Sequence, residues 1–210
     1  MTPVVVPFES PVAPLAVASG KGANLSRLTR AGFPVPPGFL ITTAAYRAFV
    51  QANDVFAQIM ALATDKAKTV EAASTAIGPL FDQGHIPPEV AAAVQAAYVE
   101  LMRVIGHASP VAVRSSATAE DLPGASFAGQ QESYLNVRGA QALLEAMKRC
   151  WSSLWTARAL DYGARHGIDP SSVSLAVVVQ AMGPAEASGV LFTTNPTDRP
   201  MTSKLRGASP

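Results

Sequence analysis

A chain of 210 residues is long enough for one ordinary domain or two small ones, and its hydrophobic fraction of 49% indicates a packed core and excludes a chain that is disordered as a whole. Its 16 lysine and arginine residues nearly balance 15 acidic residues, so no global charge attracts the chain to nucleic acid or to an anionic membrane. Any phosphate chemistry must therefore come from a local group of residues.

Cysteine content and hydropathy predict a soluble protein of a reducing compartment. The single cysteine, Cys150, cannot form an internal disulfide, and the sequence has no CxxC or Cys/His cluster that would suggest zinc. The first twenty residues contain no lysine or arginine and are broken by proline, unlike a signal peptide. The best apolar run, SLAVVVQAM, is far shorter than the roughly 20 residues that a membrane span needs. We therefore expect a cytoplasmic protein that binds neither membrane nor nucleic acid.

The first half of the chain predicts one short strand among helices. SGKGANLSRLTRAG predicts a loop followed by a short helix that ends near Gly32. FLITT predicts a strand, and the next residues predict a helix capped by Thr42 or Thr43. Residues 54–107 show helical periodicity. The stripe after the Pro87-Pro88 start consists of Val90, Val94, Ala97, Leu101 and Ile105.

The second half predicts strands around one long helix. PVAVRSS predicts a buried strand, and DLPGASFAGQQESYLNV predicts a glycine-rich loop that runs into an alternating strand. One helix is predicted from about Ala140 to His166, and Gly167 ends it. SLAVVVQAM and SGVLFTT predict an antiparallel pair of strands, so the expected fold class is α+β. The inward stripe of the long helix, read as core rather than as a face that stacks a cofactor, is Leu144, Met147, Trp151, Leu154 and Trp155.

The stretch SGKG places Lys21 between two glycines. These free the backbone to approach a bulky anion, and the lysine supplies a point charge that reaches phosphate oxygens. It is not a Walker A loop, because Gly22 stands where serine or threonine should follow the lysine, and Leu15 replaces the leading glycine. A surface lysine in a glycine turn is the competing interpretation.

The stretch VRSSATAED, residues 113–121, ends a predicted strand with an arginine. The planar guanidinium of Arg114 stays charged and can grip two phosphate oxygens, which suits an oxyanion clamp. A structural salt bridge from Arg114 to Glu120 or Asp121 is the alternative. The two carboxylates are also candidate magnesium ligands, since hard cations take oxygen donors.

Two further stretches suit a nucleotide. In PGASFAGQQES, small residues separate Gly124 from Gly129, so backbone N–H groups can surround phosphate without steric cost, and a plain irregular turn is the competitor. In VVVQAM, the side chain of Gln180 can form hydrogen bonds with a purine edge or a ribose, and the backbone groups that follow it can form hydrogen bonds with adenine. An ordinary edge-strand residue is the alternative for Gln180.

Four stretches carry a family resemblance. They are GKGANLSRLTRAGFPVPPGFLITTAAYRAF, AVRSSATAEDLPGASFAGQQESYLNV, LLEAMKRCWSSLWTARALDYGARHG, and VVVQAM with SGVLFTTNP. In order and spacing they resemble the N-terminal nucleotide-binding domain of the phosphoenolpyruvate synthase (pyruvate, water dikinase) family, which is shared with pyruvate phosphate dikinase and rifampin phosphotransferase. The resemblance covers roughly residues 18–196, and VRSSATAEDLPGASFAGQQE is highly specific.

The resemblance implies an ATP-grasp-like nucleotide-binding domain. In that family the β-phosphoryl group of ATP passes to a histidine on a mobile domain, leaving AMP, and the phosphohistidine then phosphorylates pyruvate or a rifamycin hydroxyl. On the family pattern, Lys21 and Arg114 would hold the triphosphate and serve as the catalytic residues. Such transfer depends mainly on positioning and on cancelling charge at the oxygens.

The same pattern assigns the remaining binding residues. Gly129 and Ser133 would belong to the loop that covers the phosphates. Gln180 and the backbone near Met182 would face the nucleoside. The three histidines lie in contexts unlike the family's phosphoacceptor motif and are not assigned that role: His85, His107 and His166.

The sequence departs from the family at several points. Ser19 replaces the first of the two glycines that usually precede the lysine. After TTNP the family continues into strands with acidic metal ligands, so Mg²⁺ is expected for the full-length family but its ligands are absent here. The histidine-carrying and pyruvate-binding domains are also absent. A truncation or reading-frame change is the expected cause.

These observations set the expected organisation. Residues 1–17 form a proline-rich segment, residues 18–196 a partial ATP-binding domain with a helical part at 42–107, and residues 197–210 a tail that is expected to be disordered. The expected function is the ATP-binding part of a phosphoenolpyruvate synthase-like phosphotransferase, incomplete for catalysis by itself. A non-catalytic or decayed fragment, or a rifamycin acceptor, is the alternative. The acceptor and the oligomeric state stay open.

Overall fold

The structure, a computed structural model, describes residues 2–11, 15–65, 67–117 and 132–183, together with residues 186, 187 and 189. The strands are β1 (Val5–Pro7), β2 (Gly38–Ile41), β3 (Val111–Ala117), β4 (Ser133–Val137) and β5 (Leu175–Ala181). The helices are α1 (Leu15–Arg30), α2 (Thr43–Ala52), α3 (Phe56–Thr64), α4 (Val70–Gln83), α5 (Pro88–Ile105), α6 (Ala140–Ser152) and α7 (Ala157–Arg165). Among these helices none is both long and apolar enough to cross a bilayer.

The five strands form one sheet in the order β1-β2-β5-β3-β4, and every neighbouring pair is antiparallel. The sheet with its helices confirms the predicted α+β class. The strands predicted from PVAVRSS and SLAVVVQAM are β3 and β5. Thr42 caps α2 as predicted, since its hydroxyl accepts a hydrogen bond from the N–H of Ala44.

The central position of β5 corrects two expectations about its neighbours. β5 pairs with β2 on one side and with β3 on the other. Both edges of its middle residues are therefore occupied, so the predicted pairing with SGVLFTT is not available over residues 177–180. That run lies outside the described residues except for Gly189. Gln180 likewise stands on a central strand and not on an edge strand.

The two faces of the sheet bury different sets of residues. Phe39, Val113 and Val179 belong to a large core beneath the helical layer. The alternate residues Leu40 and Val178 belong to a smaller cluster with residues of α1. Because successive side chains of a strand point to opposite faces, α1 covers one face of the sheet and α2 to α7 supply the helices of the other. We call the first the α1 face.

Aromatic side chains fill the centre of the large core. The ring of Trp151 lies 5.1 Å from that of Phe49 and 6.3 Å, edge on, from that of Tyr46. Phe49 stacks on Phe81 at 5.6 Å, and Trp155 Nε1 donates a hydrogen bond of 3.1 Å to the Tyr46 hydroxyl. These contacts confirm that the predicted aromatic stripe is core.

The single long helix predicted over residues 140–166 is wrong in one respect. α6 ends at Ser152, a 3-10 turn follows at Ser153–Trp155, and α7 begins after Thr156. Thr156 is extended, with φ −63° and ψ 152°, and its hydroxyl accepts from the Ala159 N–H. A threonine that caps a new helix interrupts the ladder, and apolar periodicity alone does not reveal such a break.

Cys150 is fully buried, and burial, with a smaller contribution from Glu132, raises the pKa of its thiol. We expect iodoacetamide to alkylate the native chain far more slowly than the unfolded chain at pH 8. Above the ordinary thiol pKa of 9.0, the unfolded chain loses this proton while the native chain keeps it. The free energy of unfolding should therefore fall as pH rises, by at most about 1.4 kcal/mol per pH unit.

Urea titrations between pH 8 and 10 measure this slope, and Cys150→Ala is the matched variant because it has no thiol to ionise. A slope that is the same in both proteins would contradict the assignment to Cys150.

Candidate functional site

Four of the predicted site residues lie on elements that meet at the α1 face. Arg114 of β3 is directly opposite Val178 of β5 and Ser133 of β4. Directly opposite residues of antiparallel strands point to the same face, so Arg114 and Ser133 share the face of Val178. Gln180 alternates with Val178 and therefore also lies on this face.

Lys21 reaches the same sheet from α1. Its Nζ donates a hydrogen bond of 3.4 Å to the carbonyl oxygen of Ser115, the residue that follows Arg114, across 94 positions of sequence. This bond is long for an ammonium donor, and a phosphate oxygen is a stronger acceptor for it. The fold thus brings the predicted lysine and the predicted arginine to one strand.

The SGKG stretch is not the loop that the sequence predicts. It lies inside α1, which is interrupted at Ser19, whose φ of 55° and ψ of 178° are not helical. The segment after Ser19 is thus a new helical start, with Lys21 in its first turn. Gly22 allows close packing instead of loop freedom, because a Cβ there would lie 2.9 Å from a methyl carbon of Leu40.

Ser19 occupies a backbone conformation that is almost restricted to glycine. It is fully buried, and its hydroxyl has no hydrogen-bond partner among the described residues. We expect Ser19→Gly to raise the free energy of unfolding by about 1 to 2 kcal/mol, since relief of strain outweighs the added entropy of the unfolded chain. Chemical denaturation followed by circular dichroism measures the change.

Ser19→Ala is the matched control for this prediction. It removes the unpaired hydroxyl but keeps the Cβ, so its gain should be less than half that of Ser19→Gly. An equal gain from the two variants would assign the effect to the hydroxyl and not to the backbone.

The charges near the site are separated by the two faces of the sheet. Arg114 is half-buried and forms no ion pair within the described ranges. Glu132 precedes Ser133 and so alternates to the opposite face, where its charge helps to raise the pKa of the Cys150 thiol. Partial burial also raises the pKa of Tyr134 to about 12. Among the described residues, the α1 face therefore presents the two predicted cations, Lys21 and Arg114, and Glu132 lies away from them.

The end of the candidate site that is predicted to face the nucleoside lies beyond Val178, at the C-terminal end of β5. Gln180 Nε2 donates to the Pro36 carbonyl at 3.2 Å, which leaves Oε1 as the acceptor of this amide. The N–H groups of Ala181 and Met182 donate to the carbonyls of Pro37 and Pro110. A base at this point would therefore meet the Met182 carbonyl, which already accepts from Ser109 Oγ at 3.4 Å.

A β-bulge beside this end was not foreseen from the sequence. Val113 pairs with Tyr134 and Val111 with Val137, so two residues of β4, Leu135 and Asn136, stand opposite one residue of β3. Asn136 has a φ of 57°. SYLNV predicts a regular alternating strand, and the signal for the bulge in the sequence is the asparagine, because this residue type tolerates a positive φ.

Several predicted groups lie outside the described residues. These are Glu120, Asp121, Gly124, Gly129 and the segment 197–210. Within the described part of the chain, no group of three or more histidine, cysteine, aspartate or glutamate side chains is placed to hold a metal ion.

Comparison with known proteins assigns the chain to a family of nucleotide-binding domains. Residues 16–205 match the family described as "Pyruvate phosphate dikinase, AMP/ATP-binding domain". A phosphoenolpyruvate synthase of Pyrococcus furiosus is 43% identical over 86% of this chain and 27% of its own length. A phosphoenolpyruvate synthase of Aeropyrum pernix is 45% identical over 87% of this chain and 23% of its own length.

A relative with another name is equally similar. The rifampicin phosphotransferase of Streptomyces sviceus is 46% identical over 87% of this chain and 21% of its own length. The chain thus spans about a quarter of the length of the curated relatives that it matches.

Proposed function

Because the chain belongs to the pyruvate phosphate dikinase AMP/ATP-binding family, we propose that its α1 face binds the triphosphate of ATP through Lys21 and Arg114. Residues 18–196 then form an ATP-grasp-like unit of a phosphoenolpyruvate synthase-like phosphotransferase. The family match supports ATP as the ligand. The positions of Lys21 and Arg114 support the α1 face as the binding site.

The observation that carries the proposal is the convergence of Lys21 and Arg114. Lys21 Nζ contacts the carbonyl of Ser115, and Arg114 precedes that residue on β3. Ser133 stands opposite Arg114 on the same face and adds an exposed hydroxyl. A mobile ammonium, a planar guanidinium and a hydroxyl suit an extended polyanion better than a single carboxylate.

The chemical role of these residues is to bind and orient. Arg114 can donate two parallel hydrogen bonds to one phosphate, and Lys21 can exchange its long bond to Ser115 for a phosphate oxygen. Both cations would lower the cost of charge that moves between phosphate oxygens during transfer. Mg²⁺, when bound, would supply further positive charge that offsets the charge of the phosphates. The described residues do not supply a ligand set for it, so the proposed role is limited to the cations.

Transfer itself would involve other parts of a longer protein. We propose that the β-phosphoryl group passes to a histidine on another domain and then to an acceptor. The relatives named phosphoenolpyruvate synthase and rifampicin phosphotransferase are about equally similar to this chain. Pyruvate and a rifamycin hydroxyl are therefore both retained as candidate acceptors.

Isothermal titration of the 210-residue chain with ATP tests the site. Arg114→Ala should raise the Kd for ATP by about 10- to 100-fold, since a charge-assisted hydrogen bond contributes about 1.5 to 3 kcal/mol. Lys21→Ala should raise it by about tenfold. Arg114→Lys should recover only part of the affinity, because an ammonium lacks the planar fork.

Arg30→Ala is the matched control, because Arg30 is an exposed cation in the last turn of the helix that carries Lys21. It should leave the Kd unchanged. Equal loss in all these variants would indicate non-specific attraction between cations and ATP. The absence of binding by the unaltered chain would refute the proposed function.

A further inference from the structure

We propose that the bulge in β4 positions the nucleoside end of the site, because the backbone N–H of Asn136 holds the side chain of Met182. This inference rests on the proposed function, since it concerns the base of the same ATP. It assigns a positioning role to Asn136 and does not make it a catalytic residue.

The bulge in β4 lies level with Gln180, two strands away in the sheet. Leu135 and Asn136 stand opposite Ala112 on β3, and Ala112 stands opposite Gln180 on β5. The bulge therefore lies in the same row as the residue predicted to face the nucleoside. A bulge re-aims the groups around it and frees a backbone N–H from the regular ladder.

The freed N–H has a specific acceptor. Asn136 N donates to Met182 Sδ at 3.2 Å. The main chain of Met182 is held from the other direction, since its N–H donates to Pro110 at 3.0 Å and its carbonyl accepts from Ser109 Oγ at 3.4 Å. Met182 is thus held at three points by the residues before β3 and by the bulge.

The distance along β5 from the level of Arg114 to Met182 suits a nucleotide. Val178 is level with Arg114, and Met182 follows four positions later in the chain. Four extended residues span about 13 Å, which is on the scale of a nucleoside triphosphate. A polyanion at Arg114 thus places the base of its nucleoside near residues 180–182.

The hydrogen bond from the Asn136 N–H to Met182 should affect the affinity for ATP, because a methionine side chain is flexible. Three rotatable bonds let an unanchored Met182 sample several conformations, and a ligand that packs against it must then order it. An anchored side chain is ordered before binding. Loss of the hydrogen bond from Asn136 should thus weaken the binding of a ligand whose base contacts Met182. It should not affect the binding of a ligand that contacts only Lys21 and Arg114.

The test compares ATP with inorganic tripolyphosphate by isothermal titration. Met182→Leu keeps the volume but removes the sulfur acceptor, and it should weaken ATP about three- to tenfold while tripolyphosphate binding stays unchanged. Asn136→Val disfavours the positive φ and should cause the same selective loss. Leu135→Ala alters an exposed side chain of the same bulge, 60% accessible, and should change neither affinity.

A spectroscopic measurement complements the titration. The ¹³C-methyl resonance of Met182 should shift with ATP and not with tripolyphosphate. Unchanged ATP affinity in Met182→Leu, or an equal loss for tripolyphosphate, would overturn the inference while leaving the proposed function in place. If the unaltered chain bound tripolyphosphate alone, the inference would also fall. If it bound neither ligand, the proposed function itself would fail.

Discussion

Trp151→Ala should lower the free energy of unfolding by about 3 to 5 kcal/mol, the usual range for removing a buried aromatic residue from a core. Trp151 is fully buried and touches the rings of Tyr46 and Phe49. The deletion leaves a cavity between α2 and α6 that these rings cannot fill. Because whole small domains have stabilities of about 5 to 15 kcal/mol, the loss is a large fraction of the total. Urea unfolding monitored by circular dichroism measures it.

Trp151→Phe is the informative companion to this variant. The indole Nε1 of Trp151 is buried and has no hydrogen-bond partner among the described residues. Phenylalanine therefore removes an unpaired donor while keeping most of the ring contacts, and its cost should stay below about 1.5 kcal/mol. A loss as large as that of Trp151→Ala would mean that the indole makes a polar contact after all.

Gly38→Ala is the second substitution with a large expected effect, a loss of about 3 kcal/mol or more. A Cβ at Gly38 would overlap the carbonyl oxygen of Val179 and lie 2.7 Å from a ring carbon of Phe8. Since the Val179 oxygen belongs to the backbone, β2 must move away from β5. Gly38 also pairs with Gln180, so any protein that still folds should bind ATP more weakly.

Gly163→Ala is the control for this prediction. A Cβ at Gly163, inside α7, would meet no atom within 4 Å. Alanine should therefore increase stability by about 0.5 to 1 kcal/mol through helix propensity. Thermal unfolding of the two variants separates steric overlap from a general intolerance of added methyl groups. A comparable loss in both would contradict the proposed overlap at Gly38.

Local patterns accounted for most elements of the fold. The buried run around Val113, the β-rich run around Val178 and the cap at Thr42 all lie where the residues predict them. These signals are local, because side-chain alternation and a hydroxyl cap depend on adjacent residues. The break at Thr156 was missed because the apolar stripe continues through it.

The candidate site depends on information that is not local. The residue types of Lys21 and Arg114 suggested phosphate binding, but only the sheet register places Arg114 opposite Ser133 and Val178. Register is determined by long-range pairing, which one sequence does not reveal. The helical conformation of SGKG was missed for a related reason: packing of Gly22 against Leu40 outweighs the low helix propensity of glycine.

The central position of β5 has a consequence for the order in which the chain can fold. β1 and β2 can pair early, and β3 can pair with β4, but these two halves have no direct pairing with each other. The strand that joins them, β5, is the last of the five described strands in chain order. During synthesis, the β1-β2 pair and the β3-β4 pair therefore remain separate until β5 has been made. Their inner edges are unpaired during this time and are open to association with other chains. Among the described strands, the α1 face, and with it the proposed nucleotide site, is complete only once β5 has paired.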